Sequence, residues 1–405
     1  MRLRAALVAC PTVVGAVVAL GVPAQAVDSS SYQHHRARAE SVIDGFYDSW
    51  LVHEQAPFSW SGDVSACRPG RPSDAVTAST FAQINYFRAV AGLRPVGVLG
   101  DLDGAVQQTA LMMDANRALS HDPPQSWACR TKLAARTAGR SNLALGSTVR
   151  GAPAITQYVL DPGRHNKQVG HRRWLFNPRT ARMASGSTRR ANALAVVGMP
   201  QHSEPVPSYV PWPARGAFPS PLEPRGRWSL SASRPGTDFS RARVRVLGPK
   251  GNRIPLTRRK VKDGMGPNTL VWQMSRVKRP SVGQELSYRV RVTKVRRNGR
   301  RLDPVRWTVT LVRPDRPVLS TAAPTISGTP EVGSTLVVSD GAWSPAPSSL
   351  EHQWFRDGEP LVGQVHRFYR LQERDAGTVI SVRVRAGVRH YVSGRVTAQV
   401  SVPGR

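Results

Sequence analysis

Apolar residues in the first half of the chain recur at the spacing of helices. Val42, Phe46 and Trp50 lie four residues apart, which places them on one face of an amphipathic helix. The same periodicity predicts helices over residues 36–51, about 74–90, about 102–119 and 152–160. Ser73 or Asp74 can cap the second of these helices.

Short apolar runs follow the helices. The runs at 173–176 and 193–197 predict strands of a covered sheet, and helices followed by strands indicate a mixed α/β sandwich. The stretch 200–224 is dense in proline, which lacks a backbone donor. We therefore predict no regular structure there and place a domain boundary within it.

Beyond that stretch the apolar period changes to two. Arg243 and Arg245 alternate with valines, as do Arg289 and Arg291, which predicts half-buried strands with an arginine-covered outer face. After a second linker near residue 315, short alternating runs at 335–338, 352–355, 379–384 and 396–400 predict a β-sandwich.

The N-terminus carries the features of an exported protein. Two arginines precede an apolar stretch, and Ala24-Gln25-Ala26 offers a signal-peptidase site, so we predict a signal peptide over residues 1–26. A retained anchor and a lipidated Cys10 are the alternatives. After cleavage only Cys67 and Cys129 remain, and an exported pair predicts a disulfide, with two buried free thiols as the alternative.

Positive charge is concentrated in the β-rich part. The formal net charge is +31, and residues 241–301 hold 19 Lys or Arg against two acidic residues. This charge predicts association with anionic cell-wall polymer or lipid headgroups. We expect no nucleic-acid partner, and we expect the protein to be a monomer. The candidate polyanion-binding residues are Arg258, Arg259, Lys260 and Lys262. A merely solvated arginine face, or arginine bias of a GC-rich genome, is the alternative.

Several short motifs resemble those of the CAP family of cysteine-rich secretory proteins. The motifs, in chain order, are Ile84 to Leu93, Leu119-Ser120-His121, Gly139-Arg140-Ser141-Asn142-Leu143-Ala144, Asp161-Pro162-Gly163, Asn166 and Val169-Gly170-His171-Arg172-Arg173-Trp174-Leu175. They span roughly 72–200. In the C-terminal part, the motifs that begin at Gly333, Gly341, Gln353 and Asp375 resemble the immunoglobulin-like repeats of actinobacterial surface proteins. This resemblance implies that Trp354 is the core tryptophan of the sandwich.

The CAP resemblance implies an α-β-α sandwich with a central cleft. Two histidines and two acidic residues converge there in the family and hold a divalent metal in some members. His121 and His171 occupy the histidine positions, whereas Ser141 stands at the first glutamate, beside Asn142. We therefore expect no cofactor, with zinc at His121 and His171 as the alternative, completed by His165 or Asp122.

The sequence thus predicts an α+β chain in which two all-β sandwich-like modules follow an α-β-α sandwich. The boundaries are 1–26 for the signal peptide, 27–222 for the CAP-like domain, 223–315 for a basic β-rich module and 316–405 for the immunoglobulin-like sandwich. The leading function is a non-catalytic extracellular binding protein. It would bind a lipid or glycan in the cleft and associate with the anionic cell envelope through the basic β modules. The alternatives are a cell-wall or peptide hydrolase using His121 and His171, and a purely structural surface protein.

Overall fold

The computed structural model describes residues 41–262, 264 and 266–404. The predicted signal peptide and the start of the first predicted helix therefore lie outside the described residues. The chain divides into two compact units, the first ending at Arg316 and the second beginning at Pro317.

Helices dominate the first part of the larger unit. Its helices are α1 (π-helical over Gly45–Leu51 and continuing through Val52–Glu54), α2 (Asp74–Val90), α3 (Asp103–Asn116), α4 (Lys132–Ala138), α5 (Ala152–Leu160) and α6 (Gly170–Leu175). The predicted cap of α2 is confirmed, because Ser73 Oγ accepts the amide of Val76. The sequence did not predict α4, which lies in a segment that carries no clear apolar period.

A four-stranded sheet forms the middle layer. Its strands are β1 (Gly97–Val98), β2 (Ser141–Leu145), β3 (Arg182–Ser187) and β4 (Ala191–Ala195), in the order β1-β3-β4-β2. Val106 and Met113 of α3 and Ala134 of α4 share a buried core with Leu143 and Ala193 of the sheet. On the other side, the hydroxyl of Tyr158 in α5 donates to Asn192 Oδ1 of β4. The layers are therefore α-β-α.

One predicted strand is wrong, because residues 173–176 belong to the end of α6 and its C-cap. A run of four apolar residues cannot distinguish a strand from a buried helical turn. The helix start is stabilised from outside: Asp161 Oδ2 accepts the amides of His171 and Arg172, at 3.1 and 3.4 Å. These are first-turn donors that a helix cannot satisfy by itself.

The proline-dense stretch contains strands, contrary to the prediction. Tyr209–Trp212 forms β5 and Gly216–Pro219 forms β6. Both are edge strands of their sheets, and at an edge a proline needs no partner for its missing amide. The predicted absence of regular structure failed because only a central strand excludes proline.

Two four-stranded sheets form a sandwich in the rest of the larger unit. The strands are β7 (Arg227–Ala232), β8 (Thr237–Asp238), β9 (Arg243–Leu247), β10 (Leu256–Arg258), β11 (Thr269–Met274), β12 (Glu285–Thr293), β13 (Arg296–Arg297), β14 (Arg300–Arg301) and β15 (Val305–Val312). One of these sheets has the order β10-β11-β7-β5 and the other β6-β15-β12-β9, and a small third sheet has the order β14-β13-β8. Trp228 contacts Tyr288 and Trp272 contacts Trp307 between the two four-stranded sheets. These aromatic pairs form the core.

The smaller unit is all-β, as predicted. Its strands are β16 (Leu319–Ala322), β17 (Ile326–Ser327), β18 (Thr335–Val338), β19 (Ala342–Ser344), β20 (Ser349–Arg356), β21 (Glu359–Pro360), β22 (Phe368–Arg370), β23 (Val379–Gly387) and β24 (Gly394–Ser401). Trp354 is fully buried among Ile380, Val382 and Tyr369, which confirms its core role.

A disulfide joins Cys67 to Cys129, whose Cα atoms are 5.1 Å apart, as the sequence predicted. It links the segment before α2 to the segment before α4. Within the described residues, no helix is long and apolar enough to cross a bilayer.

Candidate functional site

His171 is held by a buried carboxylate that follows α5. Its Nδ1 lies 2.8 Å from Asp161 Oδ1, and the Asp161 side chain is wholly buried while that of His171 is 23 % exposed. A neutral imidazole that donates from Nδ1 to a carboxylate presents Nε2 as an acceptor. Nε2 is therefore the nitrogen that can meet a ligand.

Polar groups of two layers fix the other side of this histidine. Asn142 Nδ2 of β2 donates to the carbonyl oxygen of His171, at 3.0 Å, and the ring of Tyr158 lies 5.2 Å from the imidazole, centroid to centroid. Burial raises the pKa of Tyr158 well above its ordinary value, so this hydroxyl stays protonated and donates to Asn192. The arrangement holds the imidazole in one orientation.

His121 and Ser141 are committed elsewhere. His121 Nδ1 lies 2.9 Å from the carbonyl oxygen of Ala138, at the end of α4. Ser141 Oγ donates to the carbonyl oxygen of Thr137, at 2.8 Å, and the residue is buried. In the described part of the chain, no hydrogen bond, ion pair or ring contact joins His121 to His171. The structure therefore brings Asn142, and not Ser141, to His171.

Sequence reasoning missed Asp161 as the partner of His171. The residue ends α5 with φ = 49°, and the sequence indicates only its membership of the Asp161-Pro162-Gly163 motif. A carboxylate ten positions before the histidine was the available signal. Among the described residues, no group of three His, Cys, Asp or Glu could hold a metal ion.

Buried arginines join this region to the β-rich sandwich. Arg172 donates to the carbonyl oxygens of Val159, Leu160 and Arg227 and to Ser229 Oγ. Burial lowers its pKa to about 10, and the Asp161 charge opposes that shift. Arg173 donates to the carbonyl oxygens of Lys262 and Pro267. The helical part and the sandwich are thus linked through main-chain acceptors.

A second candidate site is the outer face of the sheet β15-β12-β9. We call Arg243, Arg245, Arg289, Arg291 and Arg306 the arginine face, because all five side chains are exposed on it. Arg291 lies directly opposite Arg245 on one side and Arg306 on the other. Within the described residues, none of the five guanidinium groups forms a hydrogen bond or an ion pair. Like charges placed directly across strands repel.

The predicted polyanion segment is organised differently. Arg258 Nη1 donates to the carbonyl oxygens of Phe239, Ser240 and Ala242, so this guanidinium stabilises the main chain of that segment. The carbonyl oxygen of Lys260 accepts from Gln168, and Arg259 is half-buried. Lys260 and Lys262 have exposed side chains beside the loop that precedes α6.

Residues 81–198 match the model of the cysteine-rich secretory protein family, CAP. The chain therefore carries a CAP domain, and its motifs fall within the match. No curated protein matches the chain significantly.

Among solved structures, the chain is similar to several proteins, and the identity, coverage and TM-score of three of them are as follows. The N-terminal four Ig domains of Dscam1 isoform 7.44 are 15% identical over 53% of this chain and 51% of that one, with a TM-score of 0.17. The fibronectin(III)-like modules of Clostridium thermocellum CbhA are 15% identical over 48% and 94%, with a TM-score of 0.16. Rst D1-D2 is 11% identical over 49% and 100%, with a TM-score of 0.18. The chain spans about half the length of the Dscam1 fragment.

Proposed function

We propose that this protein is an extracellular CAP-domain binding protein that associates with a polymeric anion through the arginine face. The observation that carries the proposal is the cross-strand row Arg245, Arg291 and Arg306, because fold stability alone disfavours three adjacent unpaired cations. A polymer with regularly spaced negative charges would neutralise the row. Cell-wall polymers and anionic lipid surfaces provide such charges outside a cell.

The chemistry of the ligand follows from the shape of the surface. The arginine face is a sheet surface, so its contacts are spread over several guanidinium groups. Each exposed group contributes modestly, and the interaction is mainly coulombic. Arginine also binds phosphate and carboxylate in a bidentate manner. Phosphate-rich or uronate-rich polymers are therefore the expected class.

The proposal also includes a role for the CAP domain. The wholly buried Asp161 and the two histidines belong to a scaffold in which a lipid or glycan could lie against the Nε2 edge of His171. The buried contacts of Arg172 and Arg173 support a rigid connection between this edge and the arginine face. These contacts favour a protein that carries its ligand on the CAP domain while the arginine face holds it on the anionic polymer.

Retention on immobilised polyphosphate and on heparin tests the proposal. The variant R245Q/R291Q/R306Q should elute at lower salt than the wild type, because it loses the central row. The matched control R182Q/R276Q/R374Q removes three exposed arginines that form no hydrogen bond among the described residues. Equal retention of both variants would refute the arginine face as the binding surface. Retention would then depend only on the net charge of the protein.

Hydrolysis is the second candidate function, and the Asp161–His171 pair favours it. An imidazole oriented by a carboxylate can accept a proton from water at Nε2. A hydrolase would lose its activity in His171→Gln while keeping its polymer retention. Turnover of a cell-wall or peptide substrate by the wild type, abolished in this variant, would establish this function.

A further inference from the structure

A cleft in the larger unit lies away from His171 and away from the arginine face. Its volume is about 430 Å³, and it opens between the end of α2, the proline-rich segment before β6, and strands β7 and β15. Apolar side chains form most of its walls, among them Val90, Pro211, Leu230 and Val305. This volume lies in the range of clefts that hold small ligands.

The polar groups of the cleft are mainly donors. Arg215 is exposed, and its guanidinium forms no hydrogen bond or ion pair within the described residues. Trp307 is buried, and its Nε1 has no acceptor in the described part of the chain. A buried N–H without an acceptor is costly and calls for a partner. No carboxylate stands among the lining residues.

Tyr209 adds a second indication of positive charge. Burial raises the pKa of its hydroxyl, and the charge of Arg297 acts in the opposite direction, which places a second cation near the cleft. The hydroxyl makes no hydrogen bond within the described residues. A ligand with an anionic, acceptor-rich end and an apolar body would complement both the walls and the cations.

We propose that this cleft binds a single-chain lipid with a carboxylate head group. The chain would lie along Val90, Leu230 and Val305, and the carboxylate would pair with Arg215 at the mouth. The inference extends the proposed function, because it rests on a binding role for the protein and adds a carboxylate-lipid site separate from the ligand edge proposed at His171. Polymer binding and lipid binding then use separate surfaces.

Calorimetric titration with dodecanoate below its micellar concentration tests the proposal. The wild type should bind one dodecanoate saturably. Dodecyltrimethylammonium, which carries the same chain and a cationic head, should bind at least tenfold more weakly. Arg215→Ala should weaken dodecanoate about fivefold, as expected for a partly exposed charge pair. The control Arg276→Ala removes an exposed arginine outside the cleft and should change nothing.

A second variant keeps the test decisive. Ser208→Trp places a large side chain at an exposed lining position and should abolish binding without burying a new charge. Undiminished dodecanoate binding in Ser208→Trp, equal binding of the cationic amphiphile, or no saturable binding would overturn the proposal. Retention on polyphosphate should stay at the wild-type level in Arg215→Ala, so failure here leaves the polymer proposal standing.

Discussion

At the scale of single residues, the Asp161–His171 pair organises the CAP domain. The sequence motifs named His171 and Asn142 as cleft candidates, and the structure adds the hydrogen bond from Asn142 Nδ2 to the carbonyl oxygen of His171. The motifs did not predict the contact between Asp161 and His171. The Asp161 carboxylate accepts hydrogen bonds from the start of α6 and from the imidazole only after α5 and α6 have folded against each other. Ser141, in contrast, was a cleft candidate, but its hydroxyl donates to the main-chain carbonyl oxygen of Thr137 in α4.

Asp161→Asn tests how much of the fold depends on this carboxylate. One amide oxygen cannot replace two carboxylate oxygens that accept from His171 Nδ1, from its amide and from the Arg172 amide. We expect the free energy of unfolding to fall by about 3 kcal/mol. Urea denaturation measures it, with the exposed Asp122→Asn as control. A loss no larger than that of the control would contradict the assigned role.

Glu223 predicts a pH dependence of stability. Burial raises its pKa above the ordinary 4.5, although its carboxylate accepts from Trp228 Nε1 and the Gly226 amide. An acid whose pKa is raised by folding stabilises the protein below its unfolded pKa, and this contribution is lost as pH rises through the folded value.

Glu223→Gln keeps an acceptor oxygen and removes the charge. The wild type should therefore lose stability relative to Glu223→Gln as the pH rises from about 4 into the neutral range. Urea denaturation across this range gives the difference. A difference independent of pH, or one that grows in favour of the wild type as pH rises, would show that Glu223 is ionised at no cost in the fold.

At the scale of elements, alternation predicted most strands well. The runs at 335–338 and 379–384 lie in β18 and β23, and the arginines at 243, 245, 289 and 291 do cover an outer face. The alternation did not reveal how the strands pair. The observed pairing register places Arg291 directly opposite both Arg245 and Arg306. Register depends on partners distant in sequence, and so did the placement of prolines on edge strands.

Arg291→Gln separates stability from binding within β12. Removing one of three directly opposed cations should raise the free energy of unfolding by about 0.5 kcal/mol. The same variant should elute from polyphosphate at lower salt than the wild type. Arg276→Gln, on an exposed loop, should leave stability unchanged. A loss of stability in Arg291→Gln would show that this guanidinium supports the fold.

At the scale of the whole molecule, the larger unit combines the CAP domain with a basic sandwich. The sequence indicated the α-β-α layers, the basic strands and the Cys67–Cys129 disulfide. It did not indicate that Arg172 and Arg173 of the histidine motif would bond to main-chain oxygens of residues 227, 262 and 267. Such contacts depend on tertiary geometry, and a motif lists residue types without their partners.

The most direct test of the central claim is the salt dependence of the dissociation constant for long-chain polyphosphate. The screening length falls from about 10 Å at 0.1 M salt to about 3 Å at 1 M. We predict that the wild-type constant rises steeply over this range and that R245Q/R291Q/R306Q binds more weakly at low salt, with a shallower slope. A constant that does not change with salt, or equal curves for the wild type and this variant, would contradict the account.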